Sequence, residues 1–193
     1  MAAWKIRPLS PKDEPGWRAL WQGYNAFYER AVEERVTARL WDRIVSETGE
    51  PFALVAEIDG DLVGMAHYFF LPSTSDWGPR CYMQDLFAAP QARGQGIGRA
   101  LIETIQSDAD RAGAAQVYWL TDKSNTTARK LYDRVAKETP FIKYRMQFAG
   151  RHKVCWRRAG AGISAPAQPA PMDKSKSDAT LLSSAREDRH GAV

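Results

Sequence analysis

Asp85-Leu86-Phe87-Ala88-Ala89-Pro90-Gln91-Ala92-Arg93-Gly94-Gln95-Gly96-Ile97-Gly98-Arg99-Ala100-Leu101 carries an apolar strand pattern into a glycine-rich turn and out into an amphipathic helix. Glycines at alternate positions let successive backbone N–H groups point into one concavity, because no Cβ blocks positive-φ conformations or the close approach of a ligand. The first turn of the following helix adds unpaired N–H groups and the positive end of its dipole. With Arg93 and Arg99 beside it, the stretch reads as a seat for a diphosphate.

The spacing excludes two better-known seats. A dinucleotide fingerprint is G-x-G-x-x-G with an acidic ribose partner about 20 positions on. Here the pattern is Gly94-x-Gly96-x-Gly98 after an arginine, and no such acid follows. A Walker loop fails as well, since no Gly-Lys-Ser/Thr is present. Taken alone, the turn serves equally well as a plain connector between packed elements.

Arg93-Gly94-Gln95-Gly96-Ile97-Gly98 resembles the R/Q-x-x-G-x-G/A signature of the GNAT superfamily of acyl-CoA N-acyltransferases. The similarity continues through Val117-Tyr118-Trp119-Leu120-Thr121-Asp122, Asn125, Ala128 and Leu131-Tyr132. In that stretch it is similar to the branch of yeast histone and polyamine acetyltransferases and, more distantly, the diamine acetyltransferases. It covers residues 1–148, most strongly Tyr82 to Met146. The resemblance implies acetyl-CoA as cosubstrate and a mixed, mostly antiparallel α/β (α+β) sheet flanked by about four helices. It implies that the segment from Arg93 through Gly94, Gln95, Gly96, Ile97 and Gly98 to Arg99 holds pyrophosphate. Main-chain groups of Leu86, Phe87 and Ala88 would bond pantetheine and polarise the acetyl carbonyl, and Asn125 would fix the pantetheine arm. Tyr132 would be the general acid for the departing thiolate.

Composition points the same way. The 193 residues are 44% apolar, enough for one full-sized core. The N-terminus lacks a signal-peptide pattern and no apolar run approaches a membrane span, so a cytoplasmic protein is expected. Cys81 and Cys155 lie far apart and suit a reducing compartment. The net charge of +4 is confined to one end. Residues 1–149 hold 19 Lys/Arg and 19 Asp/Glu, whereas residues 150–193 hold 8 and 4. The expectation is one domain over 1–149 and a basic, Pro/Ala/Ser-rich, disordered tail over 150–193. Such a tail could bind nucleic acid, but a solvated extension explains it more simply.

The expected elements run βααβββαβαβ. A strand at Trp4–Arg7 precedes a helix over about 13–31, with Ser10 as N-cap, Pro11 at its start, and Trp17, Leu20, Trp21, Tyr24, Phe27 and Tyr28 on one face. Thr37 caps a second helix. Phe52–Ile58 and Leu62–Phe70 flank Asp59-Gly60-Asp61 as a hairpin. Gly113 terminates the helix that follows the glycine turn. A strand at Val117 and a helix from Asn125 or Thr126 to Val135 lead to a last strand across Phe141–Met146.

Amide formation needs an uncharged amine, donors for an oxyanion and a proton for the leaving thiolate, with no metal. His67, His152 and His190 are too scattered for a metal cluster, and His67 reads as a packed strand residue. Gln84 stands where the resembled branch tends to carry glutamate. Asp85 is then the only carboxylate on that strand, placed evenly between a base or substrate anchor and a structural hydrogen-bonder. Tyr24, Phe27, Tyr28 and Glu29 set aromatics beside a carboxylate, suited to the alkylammonium group of a small amine, a polyamine or a lysine side chain. A non-catalytic acyl-CoA sensor is the alternative reading. The resemblance also makes a homodimer an expectation.

Overall fold

The alternation of apolar residues in five segments draws them into one sheet. The computed structural model describes residues 4–46 and 50–146. Strands β1 (Trp4–Pro8), β2 (Phe52–Ile58), β3 (Asp61–Leu71), β4 (Arg80–Ala88) and β5 (Gln116–Trp119) lie in sequence order. Every neighbouring pair is antiparallel except β4 and β5, which are parallel. The chain divides into two units, Met1–Pro140 and Phe141–Val193, and every element lies in the first.

Helices cover both faces of the sheet. Helix α1 (Glu14–Phe27) and α2 (Glu34–Ile44) bury Trp17, Leu20, Trp21, Tyr24 and Trp41 against Val55, Met65 and Phe87. Helix α3 (Ile97–Arg111) and α4 (Thr126–Val135) cover the other face, where Ile97, Leu101 and Ile105 meet Leu54, Ala56, Ala66, Tyr68 and Met83. Close packing there depends on Gly64, where an added Cβ would lie 2.8 Å from the Ile97 side chain. The hairpin between β2 and β3 turns through Asp59 and Gly60, both at positive φ (51° and 93°), as a two-residue turn matched to strand twist requires.

Three expectations are corrected. Helix α1 stops at Phe27 instead of about residue 31. The N–H of Arg30 bonds the carbonyl of Asn25 and the N–H of Glu29 bonds that of Ala26, with Glu29 at φ 50°. This is a Schellman closure built without glycine, so no residue type announced it. As expected, Ser10 and Pro11 open the segment: a short 3-10 turn, Pro11–Asp13, leads into α1, and the backbone N–H and hydroxyl of Ser10 both donate to Asp13. Helix α2 begins a turn before Thr37, whose hydroxyl instead accepts from the Trp21 indole at 3.3 Å. Residues 141–146 form no strand, because alternation alone makes none without a ladder partner. The end of α3 is as expected, with Gly113 at φ 67° closing the helix. The expected tail from residue 150 lies outside the described residues, and no described helix is long and apolar enough to cross a membrane.

Candidate active site

The site begins with a fault in β4. Along the β3 ladder His67 pairs with Asp85 but Tyr68 pairs with Met83, so Gln84 is the extra residue of a bulge. Gln84 points to solvent while its two neighbours are buried on opposite faces: Met83 joins the α3 side and Asp85 turns toward α1. The bulge therefore moves the strand's only carboxylate to the face that carries the aromatic helix.

Asp85 is 4% exposed there and fully partnered. Its Oδ2 lies 3.0 Å from Nδ1 of His67, whose Nε2 lies 3.0 Å from the Trp17 indole nitrogen. An indole N–H can only donate, so Nε2 accepts and the imidazole proton resides on Nδ1, where it donates to the carboxylate. The Tyr24 hydroxyl also hydrogen-bonds Asp85, and burial together with that carboxylate pushes the phenol pKa well above its ordinary value. His67 is thus the packed strand residue anticipated. Its second task, holding Asp85 in place, was not legible, because Trp17 and His67 lie 50 residues apart.

Between β4 and β5 the sheet opens. Their ladder pairs Arg80–Met83 with Gln116–Trp119 and then stops. Among the described residues β4 is paired from the bulge to Ala88 on its β3 side alone, which leaves the main chain of Leu86, Phe87 and Ala88 with one edge free of any described strand. An extended chain can be bonded along such an edge. At the far end lies the glycine turn. Gly94 and Gly96 take φ of 76° and 84°, so glycine is required by the backbone itself, and nothing lies within 4 Å of where a Cβ would stand. Gly96 caps α3 without any side-chain bond to its first turn, which leaves those N–H groups pointing outward. Gly98, by contrast, is helical and is a contact residue, 3.3 Å from the Leu131 side chain at a built Cβ. Two cross-links hold the turn: the Trp4 indole donates to the Gln95 carbonyl at 3.1 Å, and Nε of Arg93 to that of Ala88 at 3.3 Å. Ile97 is 1% exposed, so only its main chain can meet a ligand, and Arg99 is paired with Glu103 at 2.7 Å.

The two helical layers meet at this opening. Tyr24, Tyr28 and Phe27 form edge-on contacts at the end of α1, with centroid separations of 5.1 Å and 5.0 Å. Tyr24 also meets Phe87 edge-on at 6.2 Å. From α4, Tyr132 packs edge-on against Trp119 at 5.3 Å. Burial raises the Tyr132 phenol to about 12, with a smaller contribution from Tyr28, which places Tyr28 near it. Among the described residues the Tyr132 hydroxyl has no hydrogen-bond partner. A cavity of about 510 Å³ is lined by Phe27, Tyr28 and Glu29 on one side and by Asp122, Ser124, Asn125, Thr126 and Thr127 on the other. Asn125 caps α4, its side chain accepting from the Ala128 N–H at 3.2 Å. The described residues include no group of three or more side chains suited to a metal ion. Cys81, buried and pushed up to about 11 chiefly by that burial, is chemically quiet.

Residues 17–136 match the model of the acetyltransferase (GNAT) family. A D-amino-acid N-acetyltransferase of Saccharomyces cerevisiae, HPA3, is 35% identical over 144 residues, 72% of this chain and 88% of the yeast protein. The thialysine N-epsilon-acetyltransferase of Mus musculus is 38% identical over a shorter stretch, 41% of this chain and 51% of the mouse protein. Among solved structures, a ribosomal-protein-alanine N-acetyltransferase from Brucella melitensis superposes with a TM-score of 0.66 at 22% identity, over 76% of this chain and 100% of its own. An aminoglycoside N-acetyltransferase in complex with CoA, AAC(6')-Iy, gives 0.66 at 18% identity, over 76% and 96%. The strand opening, the glycine turn and this kinship agree: the chain belongs to the acetyltransferase (GNAT) family and is an acetyl-CoA-dependent N-acetyltransferase.

Proposed function

We propose that the protein transfers the acetyl group of acetyl-CoA directly to a small primary amine in a ternary complex. The observation that carries this reading is the one-sided edge of β4 running into the Gly94–Gly96 turn. Pantetheine lies along Leu86–Ala88, and the pyrophosphate rests on the turn and on Arg93. The amine lone pair attacks the acetyl carbonyl carbon, and main-chain N–H groups of the β4 edge stabilise the oxyanion. As the intermediate collapses the C–S bond breaks, and the Tyr132 phenol gives its proton to the sulfur. At neutral pH that phenol is fully protonated, since its pKa is raised to about 12. The proton leaving the amine nitrogen passes to Asp85 through the Tyr24 hydroxyl or water, because Asp85 itself is enclosed.

The amine enters past Tyr28, Phe27 and Glu29, which line the cavity opposite Asn125. The yeast and mouse relatives are named for D-amino acids and for thialysine, which favours a small amino compound as acceptor over a protein side chain. Acetyl-CoA-dependent thiol release tests the proposal across small amines, polyamines, amino acids and lysine peptides, with a control lacking amine. Release that depends on one acceptor class is expected. Binding of acetyl-CoA without acceptor-dependent release would favour the sensor alternative.

A further inference from the structure

The Schellman closure of α1 does more than end a helix. By turning the chain back at Glu29, it brings Arg30 over the last turn of α1. The guanidinium carbon lies 5.1 Å from the Tyr24 ring centroid and 4.7 Å from that of Tyr28. Nη2 donates to the Tyr24 hydroxyl at a long 3.4 Å. A non-glycine residue at φ 50° is uncommon, and such a conformation persists where the surroundings over-determine it.

This cation shares its setting with Arg93, which lies over the Phe27 ring at 5.9 Å and likewise has no ion pair among the described residues, and differs from the arginines paired to carboxylates. Arg7, Arg18, Arg80 and Arg99 each have a carboxylate at 2.6–2.8 Å, whereas no carboxylate among the described residues lies within ion-pair distance of Arg30. Its side chain is exposed, yet two aromatic faces hold it. Those two tyrosines are the ones connected to the reacting groups: Tyr24 bonds Asp85, and Tyr28 acts on Tyr132. A guanidinium fixed beside the place where an amine must sit repels a second ammonium group and attracts an anion covalently close to that amine.

We infer that Arg30 is the carboxylate anchor of the acceptor site, so that the enzyme selects amines carrying a carboxylate, amino acids in particular, over polyamines. This rests on the acetyl-transfer reading above. The planar guanidinium offers two parallel N–H donors to the carboxylate while Tyr24 and Tyr28 keep its plane in place. Glu29, next in the chain and facing the cavity, supplies the opposite charge for an ammonium group further along the acceptor. The charge pattern thus fits a zwitterion better than a polyamine, one of the three acceptor classes that Tyr24, Phe27, Tyr28 and Glu29 suggested from sequence.

The test compares kcat/KM for matched pairs, each an amino acid and the amine that remains when its carboxylate is removed, such as lysine and cadaverine. Wild type, Arg30→Met and Arg30→Lys are assayed by thiol release. The ratio within a pair is read, because it cancels differences in folded fraction and in coenzyme binding. Wild type is expected to prefer the amino acid. In Arg30→Met that preference should fall about 10- to 100-fold, the range of a charge-assisted hydrogen-bonded pair, with Arg30→Lys between the two. A wild-type preference for the carboxylate-free amine would overturn the anchor, as would a ratio unchanged in Arg30→Met, while leaving the acetyltransferase reading intact. Absence of acceptor-dependent release with every compound would overturn both.

Discussion

In the proposed mechanism Tyr132 and Asp85 divide the proton work at the residue scale. Burial keeps the Tyr132 phenol protonated, and the Asp85 carboxylate is held by the His67 imidazole and the Tyr24 hydroxyl. Tyr132→Phe removes one oxygen and leaves the ring against Trp119. Turnover should fall about 100-fold with acetyl-CoA affinity nearly unaltered, and unchanged turnover would remove Tyr132 from the acid role. Asp85→Asn keeps an acceptor for His67 Nδ1 but cannot take a proton. The expected result is a drop in kcat/KM of about 100-fold with the fold intact. A kcat/KM that matches wild type would leave Asp85 with structural work only. Both proposed roles start from the sequence, Tyr132 by resemblance and Asp85 as the carboxylate of its strand, and the mutants decide them. The role proposed for Arg30 has no sequence signal, since its position depends on a glycine-free helix end that reverses the chain, and an unbroken helix to residue 31 would have carried it elsewhere.

Elements explain why the site lies where it does. Five strands and four helices followed from alternation and helical spacing, because each buries one clear face. The Gln84 bulge and the early end of the β4–β5 ladder had no such signal, for both depend on how two strands pair and not on either strand's own pattern. The strand expected at 141–146 failed for the same reason in reverse: it had the pattern without the partner. The glycine turn was legible, yet its three glycines differ in kind. Gly94 and Gly96 satisfy the backbone, while Gly98 lets α3 approach Leu131. Gly96→Glu would force a side chain into the left-handed region and bring a negative charge to the α3 N-terminus. Titration with coenzyme A should show binding lost in a folded variant, and normal affinity would refute the phosphate seat.

At the scale of the whole molecule, one charged cluster ties together β1, β2 and the start of α1. Arg7 meets Asp13 at 2.6 Å and Glu57 at 2.6 Å, with the Arg7 and Asp13 side chains 17% and 6% exposed. The Arg7 hydrogen bonds, aided by Ser10, hold Asp13 well below the ordinary carboxylate range. A carboxylate whose folded pKa is lowered stabilises the fold above its unfolded pKa of about 3.9 and loses that contribution as pH falls through the folded value. Asp13→Asn should therefore cost about 3 kcal/mol at neutral pH, and the gap to wild type should narrow below about pH 4. Urea melts across that range read the difference, and a gap independent of pH would exclude the ion pair as its cause.

The central claim is that the opening between β4 and β5, continued by the glycine turn, is the acetyl-CoA site. Hydrogen exchange of the backbone amides with and without acetyl-CoA measures this directly. The account predicts added protection at Leu86 and Ala88, whose N–H groups face the open edge, and in the stretch Gly94–Arg99, since free N–H groups there would gain acceptors from the ligand. Exchange at both stretches unaltered by saturating acetyl-CoA, or protection confined to other strands, would contradict it.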